Sequence, residues 1–104
     1  MIVYEVNLDV EAAIATEYRA WLAEHIAQML DLPGFTGAQT FEVADPKPAP
    51  DRIGFCVQYH LRDQAALDAY LRDHATRMRA DGAARFGDRF RASRRVLRVG
   101  AAFA

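Results

Sequence analysis

The spacing of hydrophobic residues is the feature that most restricts what this chain can fold into. Apolar and polar side chains alternate from Ile2 to Val10, as in a strand with one buried face. From Glu11 to Leu30 the apolar residues recur every three or four positions, which predicts an amphipathic helix with Asp9 as its N-cap. Alternation returns from Phe35 to Val43 after Pro33-Gly34, so the first half predicts a strand, a helix and a second strand.

The second half predicts a further strand, helix and strand after a proline-rich loop. Residues 44–51 hold three of the four prolines, which remove amide donors and favour extended backbone, so we expect an exposed hairpin loop. Ile53–Leu61 alternates as a third strand. Asp63 is placed to cap a second helix, in which we expect a break near Asp81-Gly82. The last strand spans residues 89–99.

This element order, β-α-β-β-α-β, predicts an α+β ferredoxin-like fold, a four-stranded antiparallel sheet with two helices on one face. With 104 residues the chain has room for one hydrophobic core, and we expect a single domain over residues 1–104. Right-handed crossovers place strands one and three side by side at the centre, where we expect them to run parallel. Strand four then lies beside strand one, and strand two beside strand three. The residues that the helices are expected to cover are Tyr4, Val6, Phe55, Val57 and Tyr59.

The opposite, helix-free face of the predicted sheet is too mixed in character for an ordinary solvent-exposed surface. Its predicted residues are mostly small or polar: Val3, Glu5, Asn7, Thr36, Ala38, Thr40, Cys56, Gln58 and His60. Such a face commonly packs against a second copy, and two sheets that face each other across a twofold axis form a dimeric α/β barrel. We therefore predict a homodimer through the helix-free face.

Charge and cysteine content restrict the partners and the location of the protein. The formal charge is −1, but residues 1–51 carry 2 basic and 9 acidic side chains, whereas residues 52–104 carry 11 and 5. Because strand one lies between strands three and four, these halves interleave, and we expect ion pairs such as Glu5 with last-strand arginines instead of a nucleic-acid surface. One cysteine excludes an intrachain disulfide, and no apolar run approaches the ~20 residues of a membrane span. We expect a cytoplasmic protein without a membrane partner.

Several short segments in a fixed order carry a resemblance to a known family. They are Met1–Val6, Trp21 with His25-Ile26, Gly34-Phe35, Val57–Tyr59, Tyr70-Leu71 with His74-Ala75, Arg85–Phe90 and Arg94–Leu97. Together they resemble the bacterial domain-of-unknown-function 4286 family from Met1 to about Val99. The resemblance implies a ferredoxin-like, dimeric α/β-barrel protein and brings no established activity. At the level of fold alone, the architecture is similar to that of antibiotic-biosynthesis-type monooxygenases and haem-degrading enzymes.

Two histidines lie on or beside the predicted sheet-facing stripes of the helices. His25 follows Trp21 by four residues, and His74 follows Tyr70 by four. In a pocket between helices and sheet, His25 and His74 are candidates for proton transfer, and Tyr59 for donating a hydrogen bond to a substrate oxygen. Trp21 and Tyr70 would line the pocket and bind the ligand. The alternative is structural, with both histidines buried and bonded to Tyr59 or to backbone carbonyls.

The arginines of the last strand allow two interpretations. The alternation of this strand changes around Arg94-Arg95, which predicts a bulge. Such a bulge could turn Arg94 inward, where it would hold a ligand carboxylate. Alternatively, Arg91, Arg94 and Arg95 pair with acids such as Glu5 on the neighbouring strand or on the partner subunit.

Metal and thiol chemistry are disfavoured. His25, His60 and His74 lie on separate elements without metal-ligand spacing, so we expect no metal and no cofactor. Cys56 lies in mid-strand with no histidine reliably within reach, which favours a packing role.

Haem and RNA are two further alternatives. Haem-degrading enzymes have an asparagine on the first strand and a histidine on the second helix, where Asn7 and His74 lie here, but strand alternation turns Asn7 away from the helices. RNA-recognition modules share this element order and stack bases on the helix-free face, whereas Tyr4 belongs to the covered face.

The sequence therefore predicts a homodimer that binds a small organic molecule between sheet and helices. Catalytic conversion of that molecule is the further hypothesis. The competing prediction is a non-catalytic dimeric module, a regulator or an accessory subunit, in which the same histidines serve structure. An open pocket beside His25 and His74 would distinguish the two.

Overall fold

The computed structural model describes residues 1–104. The chain forms four strands, three α-helices and one short 3-10 turn before the first helix. Their bounds are β1 Ile2–Glu11, the 3-10 turn Ala12–Ile14, α1 Ala15–Leu30, β2 Phe35–Glu42, β3 Arg52–Leu61, α2 Gln64–Asp73, α3 Ala75–Phe86 and β4 Phe90–Arg98.

The four strands form one sheet in the order β2-β3-β1-β4. Every neighbouring pair is antiparallel, which confirms the predicted antiparallel, ferredoxin-like architecture. The expectation that the first and third strands run parallel was wrong, because β1 pairs with β3 in antiparallel register from Ile2 opposite Leu61 to Glu11 opposite Arg52. The physical reason is the β2–β3 hairpin. β2 runs in the same direction as β1, and the turn into β3 reverses the chain, so β3 runs opposite to β1.

The helices cover one face of the sheet and enclose the hydrophobic core. The predicted covered residues Tyr4, Val6, Phe55, Val57 and Tyr59 are all buried. They belong to a cluster of 19 buried residues, to which α1 contributes Tyr18 and Leu22 and the later helices contribute residues such as Leu67 and Met78. Each such side chain stabilises the fold by about 1.5–3 kcal/mol relative to an exposed position, so this layer fixes the helices on the sheet.

The helix boundaries differ from the predictions at two places. Asp9 lies within β1 and accepts a hydrogen bond from Arg52 at 2.8 Å, so it does not cap α1. Asp63 caps α2 as predicted, accepting from the amide of Ala66 at 2.8 Å. The helical segment breaks at His74 (φ −130°, ψ −28°) and not at Asp81-Gly82, so the second predicted helix is in fact two. Gly82 lies inside α3.

The predicted bulge in the last strand is also absent. β4 pairs with β1 in unbroken register, and Arg94 lies opposite Val6 on the helix-covered side. The irregularity lies instead in β2, between Phe35 and Gly37. This shift turns Ala38 and Thr40 toward the helices and Phe41 toward the helix-free side, so the predicted membership of that face was wrong for Ala38 and Thr40.

A carboxylate network occupies the centre of the helix-free face. Glu5 is only 3% exposed, and its oxygens accept from Asn7 and Gln58, each at 3.0 Å, and from the guanidinium of Arg95. These donors lower the pKa of Glu5 to about 2, with the Arg95 hydrogen bond as the largest cause. A buried charge is tolerated only when it is paired in this way.

Ion pairs join the acidic first half of the chain to the basic second half. Glu5 pairs with Arg95, Asp9 with Arg52, and Glu11 with Arg89. The expected cancellation of charge within the sheet is confirmed. None of the helices has the length and apolar character needed to cross a lipid bilayer.

Candidate functional site

A small cavity lies between the sheet and the helices. It has a volume of about 60 Å³ and is lined by 16 residues, 12 of them hydrophobic. Five of the six predicted site residues are among them: Trp21, His25, Tyr59, Tyr70 and Arg94. A cavity of roughly 150 Å³ is known to hold benzene, so an aromatic ligand requires the side chains at the mouth to move.

His25 is the polar group of greatest chemical interest in this cavity. It lies on α1 one turn after Trp21, and the two rings stack with centroids 4.6 Å apart and planes inclined by 19°. Its Nδ1 atom is buried and has no hydrogen-bond partner, which is rare for a buried polar atom. Burial lowers the pKa of His25 below its ordinary value of 6.5; Asp81 opposes this shift and Arg94 adds to it. The imidazole is therefore neutral at pH 7 and able to accept a proton.

Four tyrosines line the cavity, and burial acts on the hydroxyl groups of three of them. Burial is the main cause that raises the pKa of Tyr18 and Tyr59 above the ordinary range and that of Tyr70 to about 12. At neutral pH these groups can donate hydrogen bonds but cannot carry charge. Tyr18 was missed as a site residue in the sequence, because its position on the apolar stripe of α1 is equally typical of a core residue.

Two arginines reach the cavity from its solvent side. Arg79 on α3 donates a hydrogen bond to the hydroxyl of Tyr4 at 2.9 Å. Arg94 on β4 lies close enough to His25 and Tyr59 for its charge to lower both of their pKa values. Both arginine residues are exposed, so they lie at the mouth of the cavity. Arg94 was predicted to point inward because of a bulge, but regular strand alternation is what places it there.

The structure does not bring His74 to this site. His74 lies at the junction of α2 and α3, where its Nδ1 is 2.9 Å from Nη2 of Arg77, and it is not among the cavity-lining residues. Asn7 lies on the helix-free face and donates to Glu5 at 3.0 Å. Asn7 and His74, the two residues compared above with haem-degrading enzymes, therefore do not lie on the same side of the sheet.

The remaining candidates for chemistry are separated from one another. No group of three His, Cys, Asp or Glu side chains is arranged to hold a metal ion. Burial raises the pKa of the Cys56 thiol, and nearby Glu5 raises it further, so the thiolate is disfavoured. Tyr4 is only 3% exposed and packs against Tyr59 and Tyr70 on the helix side of the sheet. It therefore cannot stack on an RNA base bound to the helix-free face.

Fold and site together define a ferredoxin-like α+β protein with an aromatic cavity between its sheet and its helices. The family model described as Domain of unknown function (DUF4286) matches residues 1–100, and the chain belongs to this family. The predicted resemblance is confirmed. A comparison with curated proteins found no match.

Solved structures of similar fold come from several bacteria. A protein provisionally assigned as an antibiotic biosynthesis monooxygenase from Deinococcus radiodurans aligns with a TM-score of 0.74 at 15% identity, covering 100% of this chain and 97% of that one. SnoaB, a cofactor-independent oxygenase from Streptomyces nogalater, aligns with a TM-score of 0.68 at 16% identity, covering 97% and 95%. A dimeric ferredoxin-like protein of unknown function from Jannaschia aligns with a TM-score of 0.55 at 24% identity, covering 95% and 100%. At these identities the similarity establishes the fold alone.

Proposed function

We propose that the protein binds a small aromatic molecule in the cavity between sheet and helices, and that His25 exchanges a proton with it. The observation that carries this proposal is the buried, unpartnered Nδ1 of His25 in an aromatic cavity. A satisfied structural histidine would have a hydrogen-bond partner there. The role of a cofactor-independent oxygenase, stated for SnoaB, supports chemistry of this kind on this fold by analogy only.

The chemistry we propose uses the residues that line the cavity. Trp21 and Tyr70 would hold the ring of the ligand, and the hydroxyl of Tyr59 would donate to an oxygen on it. His25, neutral at pH 7, would take a proton from a phenol or from a carbon next to a carbonyl group. The resulting oxyanion would be stabilised by the Tyr59 hydroxyl and the nearby charge of Arg94. His74 would act elsewhere, as a structural residue at the helix junction.

The test uses 4-nitrophenol, a small phenol whose ionised form absorbs visible light. Trp21 is the single tryptophan, so quenching of its fluorescence reports occupancy of the cavity. We expect saturable quenching, and we expect bound 4-nitrophenol to have a larger ionised fraction than free 4-nitrophenol at the same pH. In His25→Gln the quenching should persist and the ionised fraction should fall, because the base has been removed.

Two buried valines provide a matched control for the location of binding. Val57 and Val10 are both 0% exposed on the covered face, but only Val57 lines the cavity. Val57→Leu should fill the cavity and raise the 4-nitrophenol concentration needed for half-maximal quenching at least tenfold. Val10→Leu should leave this concentration unchanged. Equal effects of the two substitutions, or quenching insensitive to both, would place the probe elsewhere and refute the proposal.

We also propose a homodimer through the helix-free face. Two observations support it: the Jannaschia protein is described as dimeric, and the Glu5 network is satisfied within one protomer. A face whose central charge is already paired can be covered without leaving an unpaired charge. Light scattering should give twice the monomer mass of 11.7 kDa, and a mass near 11.7 kDa at micromolar concentration would refute the dimer. We propose the cytoplasm as the compartment of this protein, because its single cysteine cannot form an intrachain disulfide.

A further inference from the structure

The residues that line the cavity have an unbalanced charge. Among the 16 lining residues there are two arginines, Arg79 and Arg94, and no aspartate or glutamate. The other polar side chains are tyrosine hydroxyls, which donate hydrogen bonds, and the neutral imidazole of His25. The lining is therefore apolar and aromatic in the interior and positively charged at the mouth, and Asp81, which acts on His25, lies outside the lining.

The two mouth arginines differ in their partners from half of the arginines of the chain. Six arginines form ion pairs with acidic side chains, among them Arg52 with Asp9 and Arg95 with Glu5. Arg94 forms no such pair, and the side-chain partner of Arg79 is the uncharged Tyr4 hydroxyl. Both guanidinium groups therefore keep free N–H donors beside the cavity.

Arg79 and Arg94 lie on two different elements of the fold. Arg79 comes from α3 and Arg94 from β4, so the helix layer and the sheet each contribute one arginine to the lining of the same cavity. Guanidinium groups bind carboxylates through parallel N–H···O bonds, and they are the side chains best suited to a planar oxyanion. The aromatic walls have a low dielectric constant, and they strengthen the attraction of the two guanidinium groups for an anion on the cavity side.

We propose that the substrate class of this site is the aromatic carboxylates, with the ring inside the cavity and the carboxylate held at the mouth by Arg79 and Arg94. The inference rests on the proposed function, since it concerns the same cavity. It goes further in assigning the acidic substituent and the two residues that recognise it. Because both arginines are exposed, their side chains can move apart to admit the ring and close on the carboxylate afterwards.

The test compares two probes of nearly equal shape, 4-nitrobenzoate and 4-nitrobenzamide, using quenching of Trp21 fluorescence. We expect the anion to bind at least tenfold more tightly than the amide. Arg94→Gln and Arg79→Gln should each weaken 4-nitrobenzoate about tenfold and leave 4-nitrobenzamide unchanged. Raising the salt concentration should weaken the anion only. Arg91→Gln is the matched control, because Arg91 lies on the same strand with its side chain on the opposite face, and it should change neither affinity.

The outcomes separate this inference from the proposed function. Equal binding of both probes, with both blocked by Val57→Leu, would overturn the carboxylate class and leave the cavity as a binding site. Saturable quenching by neither probe would overturn both proposals. If Arg94→Gln does not fold, Arg94→Lys retains the charge and loses the paired N–H geometry. An intermediate loss of 4-nitrobenzoate affinity then supports the inference, and an unchanged affinity contradicts it.

Discussion

Glu5→Gln is the substitution whose effect on stability the structure specifies most fully. Glu5 is 3% exposed and accepts hydrogen bonds from three side chains, one of which is the guanidinium of Arg95. A pKa of about 2 in the folded protein, against an ordinary value of 4.5, corresponds to about 3 kcal/mol of stability at neutral pH. The side chain of Arg95 is 65% exposed, however, so solvent screens the pair and we expect a smaller effect. We predict that Glu5→Gln lowers the free energy of unfolding by about 2 kcal/mol at pH 7.

The pH dependence of this effect gives it a second signature. Because folding lowers the pKa of Glu5, its contribution is fully present above pH 4.5 and is lost as the pH falls toward 2. Urea unfolding of the wild type and of Glu5→Gln, at one protein concentration between pH 7 and pH 2, should show curves that converge on acidification. Glu24→Gln, at an exposed position on α1, should stay within about 0.5 kcal/mol of the wild type. A Glu5→Gln cost below about 0.5 kcal/mol at pH 7, or one that does not change with pH, would show that the ionised Glu5 network does not stabilise the fold.

Three further predictions concern the cavity wall and a tight turn. Protonation of His25 should quench the stacked Trp21, so fluorescence against pH should show a midpoint below 6.5 that is missing in His25→Gln. Because burial lowers this pKa, the unfolded chain takes up the proton first, and the stability linked to neutral His25 should be present above pH 6.5 and decline as the pH falls toward the folded pKa. Gly34→Ala should cost about 2 kcal/mol or more, since φ is +85° and the new Cβ would clash with the Cβ of Ala66. Gly37→Ala meets nothing within 4 Å, so its thermal unfolding should be nearly that of the wild type. Gly82→Ala should lack the ~1 kcal/mol gain usual in a helix interior and should shift the Trp21 emission, because its Cβ would lie 3.0 Å from the indole; an unshifted spectrum with a full gain in stability would contradict this.

The sequence predicts the sheet and its covered face because alternation along β1 and β3 is strict. Every second residue of β1 from Ile2 to Val10 is buried on the helix side, and no other assignment buries them together. The direction of the central strands follows from the hairpin geometry and not from side-chain pattern, and there the prediction was wrong. No glycine or proline lies at His74 to indicate the break there. Gly82, a residue type that disfavours helix, lies inside α3 with the Trp21 ring close to it.

The candidate site could be predicted only in part. Trp21, His25, Tyr59 and Tyr70 line one cavity, since helix and strand periods place them on facing surfaces. The break before Ala75 moves His74 out of this group, and a bulge within β2 changes which residues face the helices. Arg79 was missed because a lone arginine on a basic helix resembles a solvated residue, and only tertiary packing brings it to Tyr4.

The imidazole ¹⁵N spectrum is the sharpest test of proton exchange between His25 and a small molecule in the cavity. The protein has three histidines, so His60 and His74 serve as internal controls in the same sample. During titration with 4-nitrophenol, we expect only the ¹⁵N resonances of His25 to shift. They should saturate together with the Trp21 quenching and move toward the protonated form as the phenol ionises. Saturable binding that leaves the His25 resonances unchanged, or that shifts those of His60 or His74 instead, would rule out proton exchange at His25.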